Sequence, residues 1–151
     1  MTWQTSTITS EQTEQLGEHI GRNLRGGEVI ELVSDLGGGK TTFTRGLARG
    51  AGSSDRVASP TFTVSKEYEC PAFTIIHFDF YRLHEAGVVA EELREFVGDP
   101  HTVVIVEWGE IVEDVLPRDR LKVEIRHRKD EGRELVFETT ERLRYVLEEL
   151  S

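Results

Sequence analysis

The chain has 151 residues, enough for a single domain spanning 1–151 and too few for two full ones. Hydrophobic residues make up 37%, and 28 Asp+Glu outweigh 18 Lys+Arg to leave a net charge of −10, a composition that speaks against disorder and disfavours nonspecific binding to nucleic acid or an anionic membrane. No apolar run approaches the ~18 residues that span a bilayer, the first residues lack the basic start and apolar stretch of an export signal, and a lone Cys70 leaves no internal disulfide or multi-Cys metal site. The expectation is an acidic, cytoplasmic protein with no membrane partner.

In chain order, Ser10 is positioned to cap a first helix with Leu16, Ile20 and Leu24 on one face, ended by Gly26-Gly27. Val29–Val33 reads as a short buried strand running into a Gly-rich turn, Ser34–Gly39, and a second helix should start near Lys40 and stop near Gly50-Ala51-Gly52. Ser59-Pro60 marks a loop. Thr61–Glu69 and Phe73–Asp79 are rich in β-branched and aromatic residues and predict two strands joined at Cys70-Pro71. Glu85–Val97 predicts a helix with Leu93, Phe96 and Val97 towards the core.

Thr102–Val106 is continuously apolar, as a strand buried on both faces would be. Leu121–Arg128 and Glu134–Thr140 alternate apolar and polar residues, and Lys129–Arg133 forms the turn of a hairpin between them. Thr140 is positioned to cap a last helix carrying Leu143, Val146, Leu147 and Leu150. The order predicts an α/β fold: a mixed β-sheet flanked by helices, with the C-terminal antiparallel hairpin at one edge.

The chemistry is concentrated in the turn Ser34-Asp35-Leu36-Gly37-Gly38-Gly39-Lys40-Thr41-Thr42. Strand, Gly-rich turn and helix form the setting in which a phosphate-binding loop is credible. Glycines allow successive backbone N–H groups to curl around a phosphate, and the following helix adds its first amides and the positive end of its dipole. In such a loop Lys40 reaches the β- and γ-phosphates and the Thr41 hydroxyl holds Mg²⁺. One position departs from the G-x-x-x-x-G-K-[ST] pattern: the first glycine is Ser34.

A phosphate loop needs an acid at the end of a neighbouring strand. Glu107 follows Val103-Val104-Ile105-Val106 and Asp79 follows Ile75-Ile76-His77-Phe78, each at the carboxyl end where ligands sit in open α/β sheets; spacing leaves their roles unseparated. Ser59-Pro60-Thr61-Phe62-Thr63 offers three hydroxyls behind a rigid proline, as in loops that order around γ-phosphate and Mg²⁺. Trp108 is placed either to stack on a base or to pack. The five histidines have no metal-ligand spacing and read as packing or surface residues. Arg126, Arg128 and Lys129 read as a solvated hairpin tip. The sole asparagine, Asn23, precedes Leu24, so no guanine-reading N-K-x-D box exists and the nucleotide is read as ATP.

Four segments in order, SDLGGGKTTFTRGL (Ser34–Leu47), SPTFT (Ser59–Thr63), HFDFYRL (His77–Leu83) and VEWGE (Val106–Glu110), make the chain resemble the TsaE family of tRNA-modification ATPases over nearly its whole length. Departures from the family pattern are Ser34 and Gly109, which stands where a proline often follows Glu-Trp. The resemblance implies a P-loop ATPase with ATP and Mg²⁺ as cofactors, acting on a TsaB–TsaD complex that forms N6-threonylcarbamoyl-adenosine in tRNA, with tRNA met only through that complex. No in-cis arginine finger stands out, although Arg45 and Arg82 lie near the motifs, so the isolated protein is expected to turn over slowly and faster with a partner. The resemblance assigns phosphate binding to Lys40, Mg²⁺ to Thr41 and Glu107, and the orientation of attacking or metal-bound water to Asp79. It also places Thr61 and Thr63 in a switch-like loop and matches Arg133 to a late basic position near the nucleotide. A small-molecule kinase and a non-hydrolysing nucleotide sensor are the alternative readings.

Overall fold

The computed structural model describes residues 1–34, 39–58, 65–81, 83–85 and 87–150. Asp35, Leu36, Gly37, Gly38, the Ser59–Thr63 segment with Thr61 and Thr63, and Arg82 lie outside these residues. The strands are β1 (Thr2–Thr7), β2 (Val29–Val33), β3 (Ser65–Glu69), β4 (Thr74–Asp79), β5 (Thr102–Glu107), β6 (Leu121–His127) and β7 (Arg133–Glu138). They form one seven-stranded sheet in the order β1-β7-β6-β2-β5-β4-β3. The pairs β2·β5, β2·β6 and β4·β5 are parallel, whereas β1·β7, β6·β7 and β3·β4 are antiparallel. The mixed sheet follows the expectation.

Strand alternation divides the core in two. Ile30 and Leu32 of β2 join Val103, Ile105, Val123 and Ile125 on the face covered by α1 (Ser10–Asn23) and α2 (Lys40–Gly50). Val29, Ile76, Phe78, Val104 and Val106 face the opposite way, against Leu93 of α3 (Gly87–Phe96) and Val112 of a 3-10 turn, Gly109–Val112. β5 is buried at every position, as its unbroken apolar run predicts.

Glycines set how closely α2 approaches α1. A Cβ on Gly46 would lie 2.0 Å from the Glu14 carbonyl oxygen, one on Gly50 2.0 Å from that of Glu18, and one on Gly21 2.2 Å from that of Leu47. Each helix presents small residues four apart to the other's backbone, so α2 is seated on α1 and its first residues are fixed at the carboxyl ends of the central strands. Gly50, expected to stop the helix, is its last residue and a packing surface.

Some expectations need correction. β1 was not foreseen; it covers the hairpin as the true edge strand, with Trp3 against Phe137 at a centroid separation of 5.2 Å. α1 is capped by Thr9, whose Oγ1 accepts from the Gln12 amide at 3.2 Å, rather than by Ser10. The last helix is a 3-10 helix, Glu141–Leu147, without a side-chain cap, because the Thr140 hydroxyl donates to Asp119 Oδ1 at 2.7 Å. Arg133 is not a turn residue: it opens β7 opposite His127.

Candidate functional site

Central parallel strands bring the candidate acids together. β2 runs directly into the Gly-rich segment, β5 lies beside β2, and β4 lies beside β5 with Asp79 in register with Glu107. By alternation His77, Asp79 and Glu107 all point to the face that carries α2. Gly39, at φ 106°, ends the Gly-rich segment in the left-handed region that a side chain resists, and α2 begins at Lys40. Among the described residues no side chain caps α2, and its first turn holds no acid, which favours an anion at the positive end of its dipole.

Lys40 is buried, and its Nζ donates to the Ser34 carbonyl at 3.1 Å and lies 3.6 Å from Glu107 Oε1. Its third neighbour is Trp108, whose ring centroid is 4.7 Å away; this is a cation–π contact. Trp108 itself is held at φ 57°, ψ 49°, a left-handed conformation that costs a non-glycine residue roughly 1–2 kcal/mol. That turn swings the indole over Lys40 and against Tyr81, with ring centroids 5.0 Å apart. Asp79 is 4% exposed and its Oδ1 accepts from the Tyr81 amide at 2.9 Å.

Glu107 has a second partner that the sequence did not disclose. His77, fully buried, places Nε2 2.5 Å from Glu107 Oε2. The Tyr68 ring flanks His77 at 6.4 Å, and its hydroxyl donates to the Ala58 carbonyl at 3.0 Å. Burial pushes the Tyr68 phenol above its usual range, and the Glu107 charge acts in the same sense against the Ala58 hydrogen bond. The phenol therefore stays a donor.

Thr41 is the second residue of α2 and borders a cavity shared with Arg45, Arg49 and Ala58. Thr42 and Gly39 border another, of about 210 Å³, closed by Thr9, Thr13 and Arg133. Arg133 Nε lies 3.7 Å from where a Gly39 Cβ would sit, so the fold brings this late residue to the end of the Gly-rich segment. The β1–α1 corner at Thr9 had no motif to mark it. Arg126 and Arg128 are exposed and paired with Glu124 and Asp130, a solvated tip as expected.

A family model described as "Threonylcarbamoyl adenosine biosynthesis protein TsaE" matches residues 7–135. The tRNA threonylcarbamoyladenosine biosynthesis protein TsaE of Bacillus subtilis is 36% identical over 146 residues, covering 96% of this chain and 91% of that protein. The protein of the same name from Streptomyces coelicolor is 37% identical over 115 residues, covering 74% and 76%. A crystal structure of Bacillus subtilis YdiB superposes with a TM-score of 0.82 at 33% identity, covering 99% of this chain and 94% of the other. On these matches the chain belongs to the TsaE family.

Proposed function

We propose that this protein binds ATP with Mg²⁺ and hydrolyses it slowly, as an accessory protein required for threonylcarbamoyl-adenosine formation in tRNA, acting in the cytoplasm on a TsaB–TsaD complex. The observation that carries the reading is the approach of Lys40 Nζ to within 3.6 Å of Glu107 Oε1, a phosphate-loop lysine beside an acid on the neighbouring strand. The relatives' printed names supply the tRNA modification.

The donor set suits magnesium. Mg²⁺ is a hard ion, usually held by one or two carboxylates together with substrate phosphates. The Thr41 hydroxyl and the Glu107 carboxylate are such donors, with Asp79 in register beside Glu107 to orient a water. When bound, the ion would neutralise charge on the phosphate oxygens and template the displacement.

The chain's own residues do the rest. The amides at the start of α2 and the Lys40 ammonium hold the β- and γ-phosphates. Trp108 covers Lys40, backed by Tyr81 on its own ring, and keeps the local dielectric low, which strengthens the attraction of the lysine for the anion. Arg133 and Thr42 border the cavity beside Gly39, where they would approach the nucleotide. Arg45 and Arg49, the arginines of α2, lie 3.8 and 3.3 Å from Glu14, turned to α1, so neither is committed to the transferring phosphoryl group. A partner that completes the charge should therefore accelerate hydrolysis.

The test is ATP hydrolysis with and without TsaB and TsaD, scored beside modified tRNA, for wild type and Lys40→Ala. Expected are low turnover alone, stimulation by the pair, and loss of nucleotide binding in the variant. Fast hydrolysis without the pair refutes partner dependence. Intact ATP with the pair present makes the protein a sensor, and unchanged nucleotide affinity in Lys40→Ala refutes the phosphate-loop assignment.

A further inference from the structure

The geometry points to His77 as a positioning residue for the reaction: it ties one oxygen of Glu107 so that the other is presented to Lys40 and to the metal. The inference rests on the Mg²⁺–ATP reading above and adds to it a residue outside the phosphate loop and its acids.

His77 is fully buried on β4, opposite Ile105, one pleat behind the Asp79–Glu107 pair. Its ring reaches diagonally across the parallel register to Glu107 Oε2 at 2.5 Å, while Oε1 of the same carboxylate faces Lys40 at 3.6 Å. One oxygen is thus held from β4 and the other faces α2, which fixes the orientation of the carboxylate between them. A carboxylate accepts, so the ring hydrogen sits on Nε2. Nδ1 is buried with no partner among the described residues; as a bare lone pair it is less costly than an orphaned N–H, yet it still loses its hydration.

A residue that served packing alone would not need that nitrogen. Ile75, Ile105 and Tyr68 surround this part of the sheet with apolar surface, where a phenyl ring would fill similar volume without burying a polar atom. The one compensating bond His77 makes goes to the acid proposed to hold the metal. Hydrogen bonds to a metal ligand from the shell behind it fix its orientation, and their loss lowers metal affinity or activity ~10–100-fold. Tyr68 packs on the same ring and donates to Ala58, the last described residue before the Ser59–Thr63 segment.

The experiment compares wild type, His77→Phe, His77→Gln and His77→Asn in the full chain. His77→Phe keeps the ring and removes the donor; Gln can carry an N–H to the Nε2 position, and Asn reaches only as far as Nδ1. ADP binding is measured in EDTA and then across a Mg²⁺ titration, with ATP turnover and thermal unfolding alongside. His77→Phe and His77→Asn should bind ADP in EDTA as wild type does but need ~10–100-fold more Mg²⁺ for its effect on binding, with turnover falling in parallel. His77→Gln should recover most of both.

A wild-type Mg²⁺ dependence in His77→Phe, or in His77→Asn if the phenyl variant does not fold, overturns the inference. So does a Gln variant no better than Asn. A wild-type chain whose ADP binding ignores Mg²⁺ overturns instead the reading of the site on which it rests.

Discussion

Replacing Gly46 by alanine tests how α2 is held in place. In an exposed helix this change favours the helical state by ~0.8–1 kcal/mol. Here the new Cβ would lie 2.0 Å from the Glu14 carbonyl oxygen and 2.9 Å from the Glu18 amide nitrogen. Ordinary contact begins near 3.4 Å, so the helices must separate by the difference between 3.4 and 2.0, about 1.4 Å. The obstruction is backbone and cannot swing aside as a side chain could. Overpacking of this kind costs ~1–3 kcal/mol and sometimes more; a clash with a helix backbone belongs at the upper end. Net of helix propensity, a loss of ~2 kcal/mol is expected, or ~4–8 °C in Tm for a chain of this size. Thermal unfolding followed by circular dichroism measures it, and an ADP titration shows whether the displaced α2 still presents Lys40. A Gly46→Ala protein as stable as wild type would mean that the two helices have slack and that the glycine seam does not position the site.

Two further outcomes follow from buried and half-buried groups. Arg120 Nε donates to Glu31 Oε1 at 3.0 Å, and Glu31 is 5% exposed on β2. Arg120→Ala strands that carboxylate and should cost ~3–5 kcal/mol, read as a drop in Tm; the double change Glu31→Met, Arg120→Met should restore most of it, and a single variant without a drop refutes the pairing. Burial, then the Asp55 and Glu69 charges, push the Cys70 thiol from 9.0 up to about 11. A raised value keeps the thiol protonated, so at pH 8 its thiolate fraction is about 100-fold below that of an unshifted thiol. Iodoacetamide should modify it slowly at pH 8 and faster as pH approaches 11; prompt labelling at pH 8 contradicts that environment.

Local signals carried most of this fold. The β2–turn–α2 unit, β5 and the β6–β7 hairpin each announce themselves within a dozen residues, through an apolar run, a glycine cluster or strict alternation. β1 does not. Its inward residues are Trp3, Thr5 and Thr7 in an otherwise polar stretch, and its partner is β7, with Thr2 opposite Glu138; only the completed sheet supplies the surface it adds to. The apolar spacing of Glu141–Leu147 suits an α-helix and a 3-10 helix alike, and the competing Thr140–Asp119 hydrogen bond is a tertiary fact.

The candidate site divides in the same way. Lys40 and Glu107 are legible because each follows a recognisable strand, and the fold brings them within 3.6 Å of each other. His77 is not, since a histidine in an apolar strand looks like packing until the register of β4 on β5 directs it at Glu107. Arg133 is far from Gly39 in sequence, and the hairpin's fold carries it back there. Trp108 was open between stacking and packing, and its left-handed backbone decides its neighbour as Lys40.

The charge of −10 bears on how such a site could bind a polyanion at all. Surface charges act over a screening length of ~8 Å at physiological ionic strength, so the acidic exterior opposes approach without reaching far into a covered site. Inside it the charges are even, Lys40 and Arg133 standing against Glu107 and Asp79. Lys40, the start of α2 and Arg133 meet at Gly39, and the Trp108 ring shields the lysine from water. Glu107 now sits against that lysine, and its charge is the one that Mg²⁺ would engage. Nucleotide and metal are therefore expected to bind together, since each relieves the charge that the other brings. A tRNA lacks this recourse: its phosphates would meet the exterior, where Asp and Glu prevail. On the proposed reading that is why contact with tRNA is left to TsaB and TsaD, and why the acidity of the surface and the covered lysine–carboxylate pairing of the site serve the same division of labour.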